Sequence, residues 1–212
     1  MTSTESTVHV VDDDASFLRA TARLLRASGF TVKTFAAAAD FLAAHGEESA
    51  GCVVADLHMP EMNGLGLQAE LARRGNPLPV LFLSGAGDIP STVRAMREGA
   101  EDFLEKRAEK EELVEAVKRA LSRDALERNH RCRKRALRAR FATLSGREME
   151  VLGHVVRGQL NKQIADRLGI HERTVKLHRT AITTKLGVPS VAELTLLAQE
   201  AEAFPVSPQT FP

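Results

Sequence analysis

The 212-residue sequence predicts an α/β domain built on a five-stranded parallel sheet, followed by an all-α domain of four helices. Three observations predict it. Short apolar runs alternate with helical patterns through the first half. No strand pattern appears from Thr143 onward. The charge also divides: residues 1–122 carry 13 Lys/Arg against 19 Asp/Glu, a net of −6, and residues 123–212 carry 16 against 9, a net of +7. An acidic half joined to a basic half implies two domains with different partners.

The strands are expected at Val8–Val11, Thr31–Phe35, Cys52–Ala55, Val80–Leu83 and Asp102–Leu104. Cys52–Ala55 and Val80–Leu83 are continuous apolar runs, the mark of a sheet covered on both faces. The helices between and after them are expected at Ser16–Ser28, Ala37–His45, Gly64–Arg73, Ile89–Glu98 and Lys110–Leu121. Leu18, Ala22 and Leu25 keep roughly helical spacing in the first. Regular βα alternation requires right-handed crossovers, hence a parallel sheet.

Residues 123–141 change character. From Arg128 to Arg140, seven of thirteen residues are Lys or Arg, and glycine is absent. This stretch reads as a helical or semi-rigid basic linker. A capping box, Ser145-Gly146-Arg147-Glu148, then opens a helix with Val151, Leu152, Val155 and Val156 inward. Gly158 stops it, and Asn161 is expected to cap a second helix carrying Ile164, Ala165 and Leu168, which Gly169 ends. A third helix is expected from about Arg173 to Leu186, with Val175, Ile182 and Leu186 inward, and a fourth over Val191–Glu202. Three prolines in Pro205–Pro212 predict a disordered tail.

Composition excludes several classes. Apolar residues at 43% give enough material for a core, against wholesale disorder. The two cysteines, Cys52 and Cys132, form neither a disulfide framework nor a zinc pattern, which fits a reducing cytosol. The N-terminus lacks the basic and apolar regions of a signal peptide, and no apolar run approaches the ~18 residues needed to span a bilayer. A cytoplasmic protein without a membrane partner is expected.

Ligands of open parallel sheets bind at the carboxyl ends of strands. There the first strand runs into Asp12-Asp13-Asp14, the third into Asp56, the fourth into Ser84, and the fifth precedes Lys106. Singly, each has a plain explanation as a polar loop or surface residue. Together they make a crowded acidic rim that a hard divalent cation relieves, and Mg²⁺ suits such oxygen ligands. An aspartate beside Mg²⁺ can attack a phosphoryl group, and a hydroxyl and an ammonium can hold its oxygens.

The run Val10–Asp14, the run Asp56-Leu57-His58-Met59-Pro60-Glu61-Met62-Asn63-Gly64, the run Ser84–Pro90, and Asp102–Lys106 resemble the receiver domain of response regulators, a flavodoxin-like (βα)5 fold. The resemblance covers residues 6–122. It implies that Asp56 is phosphorylated, and that Asp12, Asp13, Asp56 and the backbone carbonyl of His58 bind Mg²⁺. It further implies that Ser84 and Lys106 contact the phosphoryl group and that Phe103 is the switch aromatic. One departure is plain: receivers commonly carry proline after this lysine, in a cis peptide, and here Arg107 follows. A cis bond before a non-proline residue costs ~3–4 kcal/mol, so a trans bond and a differently shaped loop are expected.

In the basic half, Leu144–Glu148, Asn161–Ala165, Leu168–Ile170 and Arg173–Arg179 resemble the LuxR-type helix-turn-helix, over residues 142–203. Together the two resemblances are those of NarL/FixJ-type regulators. Helical spacing puts Lys176, Thr180 and Thr183 on one face, opposite Val175, Ile182 and Leu186. Lys176 can donate to guanine and Leu177 can touch thymine methyls. The resemblance makes Lys176, Leu177 and Thr180 the base readers, and Lys162, Arg173, Thr174, Arg179 and Lys185 phosphate contacts. His171 stands where Ser or Thr would cap the third helix better.

The expected organisation is a receiver over 1–122, a basic linker over 123–141, the helix-turn-helix domain over 142–204 and a tail over 205–212. The resemblance implies a sensor histidine kinase as phosphodonor, double-stranded DNA and RNA polymerase as partners, and homodimerisation on phosphorylation. A Mg²⁺-dependent phosphohydrolase is the enzyme alternative. Such enzymes usually carry Asp-x-Asp after the first strand, whereas here the candidate nucleophile follows the third, so a non-enzymatic regulator is favoured. A DNA-binding protein with a degenerate receiver, independent of phosphorylation, is the other alternative, and the full acidic set with Lys106 argues against it.

Overall fold

The computed structural model describes residues 6–46, 49–75, 78–85 and 89–201. The chain divides into two units, residues 1–128 and 129–212. The expected tail at 205–212 lies outside the described residues, as do Ala86, Gly87 and Asp88 of the loop after the fourth strand.

The first unit alternates β1 (Thr7–Val11), α1 (Ala15–Ala27), β2 (Thr31–Phe35), α2 (Ala38–Ala44), β3 (Gly51–Asp56), α3 (Gly64–Arg73), β4 (Val80–Ser84), α4 (Ile89–Arg97), β5 (Asp102–Glu105) and the start of α5 (Lys110–Phe141). All pairings are parallel, in the order β2-β1-β3-β4-β5. Side chains alternate across the sheet because the strand period is two. Val8, Val10, Cys52, Val54, Leu81 and Leu83 meet Leu25 of α1 and Val117 of α5 on one face. Val11, Val53, Ala55 and Phe82 meet Phe41 of α2, Leu67 and Leu71 of α3 and Ala95 of α4 on the other. Burying each such large side chain contributes on the order of 1.5–3 kcal/mol.

The fifth helix does not stop at Leu121, as the sequence reading expects, but runs 32 residues from Lys110 to Phe141. No Gly or Pro interrupts that stretch, so nothing ends the helix. Of the two expected forms of linker, the helical one is observed. Its residues divide between the units: Asp124 is wholly buried against the sheet, and Leu137 and Phe141 belong to the core of the second unit.

The second unit adds α6 (Gly146–Val155), α7 (Asn161–Leu168), α8 (Glu172–Leu186) and α9 (Val191–Glu200). Ser145 and Glu148 form the expected reciprocal box: Ser145 Oγ accepts from the Glu148 N–H at 3.2 Å and Glu148 Oε2 from the Ser145 N–H at 2.7 Å. Asn161 does not cap α7. It is the first helical residue, Leu160 stands at the cap, and Gln163 Oε1 accepts from the Leu160 N–H at 2.9 Å. The Asn161 side chain instead accepts from Arg179 at 2.9 Å. Val151, Leu152, Ile164, Val175, Ile182 and Leu186 form the core and are fully buried. Val156 is half-buried at its margin.

Candidate functional site

The order β2-β1-β3-β4-β5 reverses direction between β1 and β3, and that reversal opens a crevice at the carboxyl ends of these strands. Asp12 leaves β1 and Asp56 ends β3 on the two sides of it. One carboxylate oxygen each from Asp12, Asp13 and Asp56 lie within 4.8 Å of one another. Asp12 and Asp56 are buried and Asp13 is exposed. Burial raises the Asp12 carboxyl above the ordinary aspartate range, against the opposing pull of Lys106 and the Asp14 amide. A buried carboxylate beside two others is the group whose charge a hard cation stabilises most.

Asp14, though adjacent, faces elsewhere. It caps α1, accepting from the Ser16 N–H at 2.8 Å and the Phe17 N–H at 3.2 Å. The Phe17 and Ser16 amides hold its carboxyl below the ordinary range. The signal was present in the sequence, an Asp directly before a helical pattern.

Lys106 bridges the two buried carboxylates, its Nζ 2.6 Å from Asp12 Oδ2 and 3.0 Å from Asp56 Oδ2. Burial works to lower its pKa, but the hydrogen bonds to Asp12 and Asp56 outweigh it and hold the ammonium more basic than usual. The third neighbour of Nζ is the Phe17 ring, 4.5 Å away at its centroid, which the sequence reading missed. The Lys106 N–H donates to the Ser84 carbonyl at 2.8 Å, which continues the β4–β5 ladder to the rim. No peptide bond among the described residues is cis, that between Lys106 and Arg107 included, and the ammonium still reaches both carboxylates. Arg107 itself points to Glu105 in an exposed ion pair.

Ser84 ends β4 and is fully buried. Phe103, on β5, is half-buried and lies 6.4 Å from the buried Phe82 ring, inclined at 46°. His58 follows β3 by two residues and is exposed. Gly64 opens α3 against β3: a Cβ there would sit 2.5 Å from the Asp56 carbonyl oxygen and 2.7 Å from Phe82 Cε1. Only glycine allows this approach.

In the second unit, α7 ends on Gly169, whose φ of 63° is the left-handed conformation a helix terminus favours. Ile170 and His171 complete the tight turn into α8. His171 stands at the cap of α8 and makes no side-chain capping bond. Val175, Ile182 and Leu186 are fully buried, while Lys176, Leu177 and Thr180 are exposed. Leu177 is 65% exposed, an apolar side chain held out from a basic helix. Lys162 and Arg173 are exposed, and Thr174 is half-buried. Two of the expected phosphate contacts are held inside the unit: Arg179 by Asn161, and Lys185 by Glu148 Oε2 at 2.7 Å and the Thr143 carbonyl at 3.3 Å. Lys185, with the Ser145 amide, brings the Glu148 carboxyl down to about 2. Lys176 lies 3.7 Å from Glu172, a loose exposed pair.

Comparison with known proteins matches both halves. The model of the response regulator receiver domain matches residues 8–118, and that of bacterial regulatory proteins of the luxR family matches residues 142–198. Response regulator protein TmoT of Ectopseudomonas mendocina is 41% identical over 199 residues, covering 94% of this chain and 90% of that one. Transcriptional regulatory protein FixJ of Azorhizobium caulinodans is 39% identical over 203 residues, covering 96% of each. Among solved structures, the response regulator StyR aligns with a TM-score of 0.83 at 44% identity, covering 92% of this chain and 99% of that one.

Proposed function

The chain belongs to the response regulators that join a receiver domain to a LuxR-type DNA-binding domain, and from that premise we propose that phosphorylation of Asp56 is the event that switches it. The observation that carries this reading is the Lys106 ammonium bridging Asp12 and Asp56. An ammonium on a flexible stem can follow the acceptor, turning from the carboxylates to the oxygens a phosphoryl group brings.

A sensor histidine kinase is the donor. An Asp56 oxygen bonds phosphorus as the P–N bond of the phosphohistidine breaks, and the imidazole nitrogen keeps the electron pair. Lys106 and the Ser84 hydroxyl hold the oxygens of the transferred group, and Phe103 turns inward as Ser84 shifts. The oxygen donors of Asp12, Asp13 and Asp56 fit Mg²⁺, which they would hold together with the His58 carbonyl. Bound there, Mg²⁺ neutralises charge on the phosphoryl oxygens.

The receiver spans 1–122, the basic helical linker 123–141, the helix-turn-helix domain 142–204 and the tail 205–212. Lys176, Leu177 and Thr180 read bases of double-stranded DNA. Lys162, Arg173, Thr174, Arg179 and Lys185 contact or support the phosphate side. Phosphorylation promotes a homodimer through α4 and β5, where Val93 and Met96 stand 43% and 46% exposed. The dimer sets two recognition helices on half-sites and presents RNA polymerase with an occupied promoter. The protein acts in the cytoplasm as a switch, without catalytic turnover; among the described residues, no helix is long and apolar enough to cross a membrane.

Treating the full chain with acetyl phosphate and Mg²⁺ tests the reading. Peptide mass spectrometry is expected to find one phosphoryl group, on the peptide holding Asp56. Incorporation that persists in Asp56→Asn overturns it.

A further inference from the structure

We propose that Phe17 is a positioning residue for phosphoryl transfer to Asp56, its ring holding the Lys106 ammonium over the acidic crevice. The inference rests on the reading of Asp56 as acceptor and adds a residue to that site. An ammonium has three donors and no acceptor. Asp12 Oδ2 and Asp56 Oδ2 engage Nζ at 2.6 and 3.0 Å. The Phe17 ring covers another side, its centroid 4.5 Å from Nζ, inside the ~6 Å range of cation–π attraction. With two anions and a ring face around it, the Lys106 side chain is only 20% exposed.

The ring is fixed in place. Phe17 lies in the first turn of α1, and its N–H donates to the Asp14 cap at 3.2 Å. Its side chain packs against the core between the sheet and helices α1 and α5. Asp12, Asp14 and Phe17 are therefore placed by one short segment, and Lys106 is gripped from it at two points. When the phosphoryl group arrives, the ammonium has to leave the carboxylates for new oxygens. A lysine without the ring could take its water shell and swing outward. With the ring, its path stays over the crevice, so fewer of its conformations are unproductive. The Phe17 side chain has no polar atom to offer Asp56 or the entering phosphorus, so it acts through Lys106. In the probe reaction, an Asp56 oxygen bonds phosphorus as the bond from phosphorus to the acetyl oxygen breaks, and acetate leaves with the electron pair.

Two variants of the full chain separate the ring from its bulk. Phe17→Leu keeps an apolar side chain, and Phe17→Tyr keeps the ring. The first measurement uses protein free of metal and phosphate, labelled with ¹³C-lysine. The Lys106 ε-methylene signal, identified by its loss in Lys106→Arg, is expected to stand upfield through the ring current, in wild type and Phe17→Tyr but not in Phe17→Leu. The second is the initial rate of Asp56 labelling by acetyl phosphate with Mg²⁺. Phe17→Leu is expected to be slower by about three- to tenfold, the range of a partly desolvated cation–π contact, with Phe17→Tyr within about twofold of wild type. A wild-type Lys106 signal without the upfield shift overturns the inference, and so does Phe17→Leu labelling as fast as Phe17→Tyr. Wild-type protein that takes up no phosphoryl group, yet keeps the shifted signal, overturns the acceptor reading and with it the role of the ring, while leaving the contact itself in place.

Discussion

Asp124, fully buried on α5, accepts a hydrogen bond from the Gly51 N–H at 2.8 Å, across 73 positions of sequence. Arg128, one turn further on, pairs with the same Asp124 oxygen at 2.7 Å and donates to Ser6 Oγ at 3.3 Å. Gly51 can open β3 only as glycine: its φ is 132°, and a Cβ would fall 1.8 Å from the Thr7 carbonyl. The helix is thus fastened at the amino-terminal edge of the sheet, the end away from Asp56.

Removing that fastening has a definite cost. Asp124→Ala leaves the Gly51 amide and Arg128 without their anion, and is expected to destabilise the first unit by about 2–4 kcal/mol. That is below the usual loss for a fully buried pair because Arg128 is 27% exposed. Hydrogen exchange checks it: protection of the Gly51 amide should fall in the variant while the Ile164 and Ile182 amides of the second unit keep theirs.

His9 sets a pH dependence. Its imidazole is buried among Phe35 and Phe41, and neither ring nitrogen has a hydrogen-bond partner among the described residues. Burial, helped by His45 and Lys33, lowers its pKa to about 4 from 6.5. The folded state therefore favours the neutral ring more than the unfolded chain does. Its contribution is fully present above pH 6.5 and is lost as the pH falls toward 4, to a total of ~3 kcal/mol. Thermal unfolding of the first unit should fall more steeply over that window in wild type than in His9→Leu. Equal slopes would show that another group governs it.

At the acidic crevice, Asp13→Asn removes an exposed carboxylate oxygen while leaving the buried Lys106 bridge intact. Mg²⁺ affinity is expected to drop about tenfold or more, with the fold unchanged. A magnesium titration equal to wild type would remove Asp13 from the metal site.

Helices α7 and α8 give a contrast among three lysines. Lys176→Ala is expected to relax specificity at one base pair by ~1–3 kcal/mol, and Lys162→Ala to weaken all sequences alike. Lys185→Ala should act differently, lowering the melting temperature of the helical unit because it leaves the buried Glu148 without its cation. A binding-site library read alongside thermal melts distinguishes them; uniform loss of affinity in Lys176→Ala would dismiss it as a base reader.

Strand positions were legible because a β period and a polar strand end are local patterns, so the rim of Asp12, Asp56, Ser84 and Lys106 could be read directly. The length of α5 was half legible. The missing glycine and proline permit a long helix, but the Gly51 amide that bonds the buried Asp124 lies 73 positions away, beyond any local pattern. Asn161 reads from the sequence as a helix cap and Lys185 as a phosphate contact, because their partners Arg179 and Glu148 come from other helices, which no local pattern encodes. Phe17 was hidden for the same reason: an aromatic in a helix's first turn reads as core until the loop after β5 brings Lys106 above it.

Gly64 carries no functional group, yet the space it leaves is filled by the Asp56 carbonyl and the Phe82 ring, and Phe82 lies beside Phe103. A library of random substitutions selected for signal-dependent gene expression would therefore rank position 64 with position 56. A screen for soluble, folded protein would be more forgiving there, because a loop that shifts to admit a methyl group can still close over an intact sheet. The gap between the two rankings would separate the residues that shape the acidic crevice from those that merely keep the domain folded.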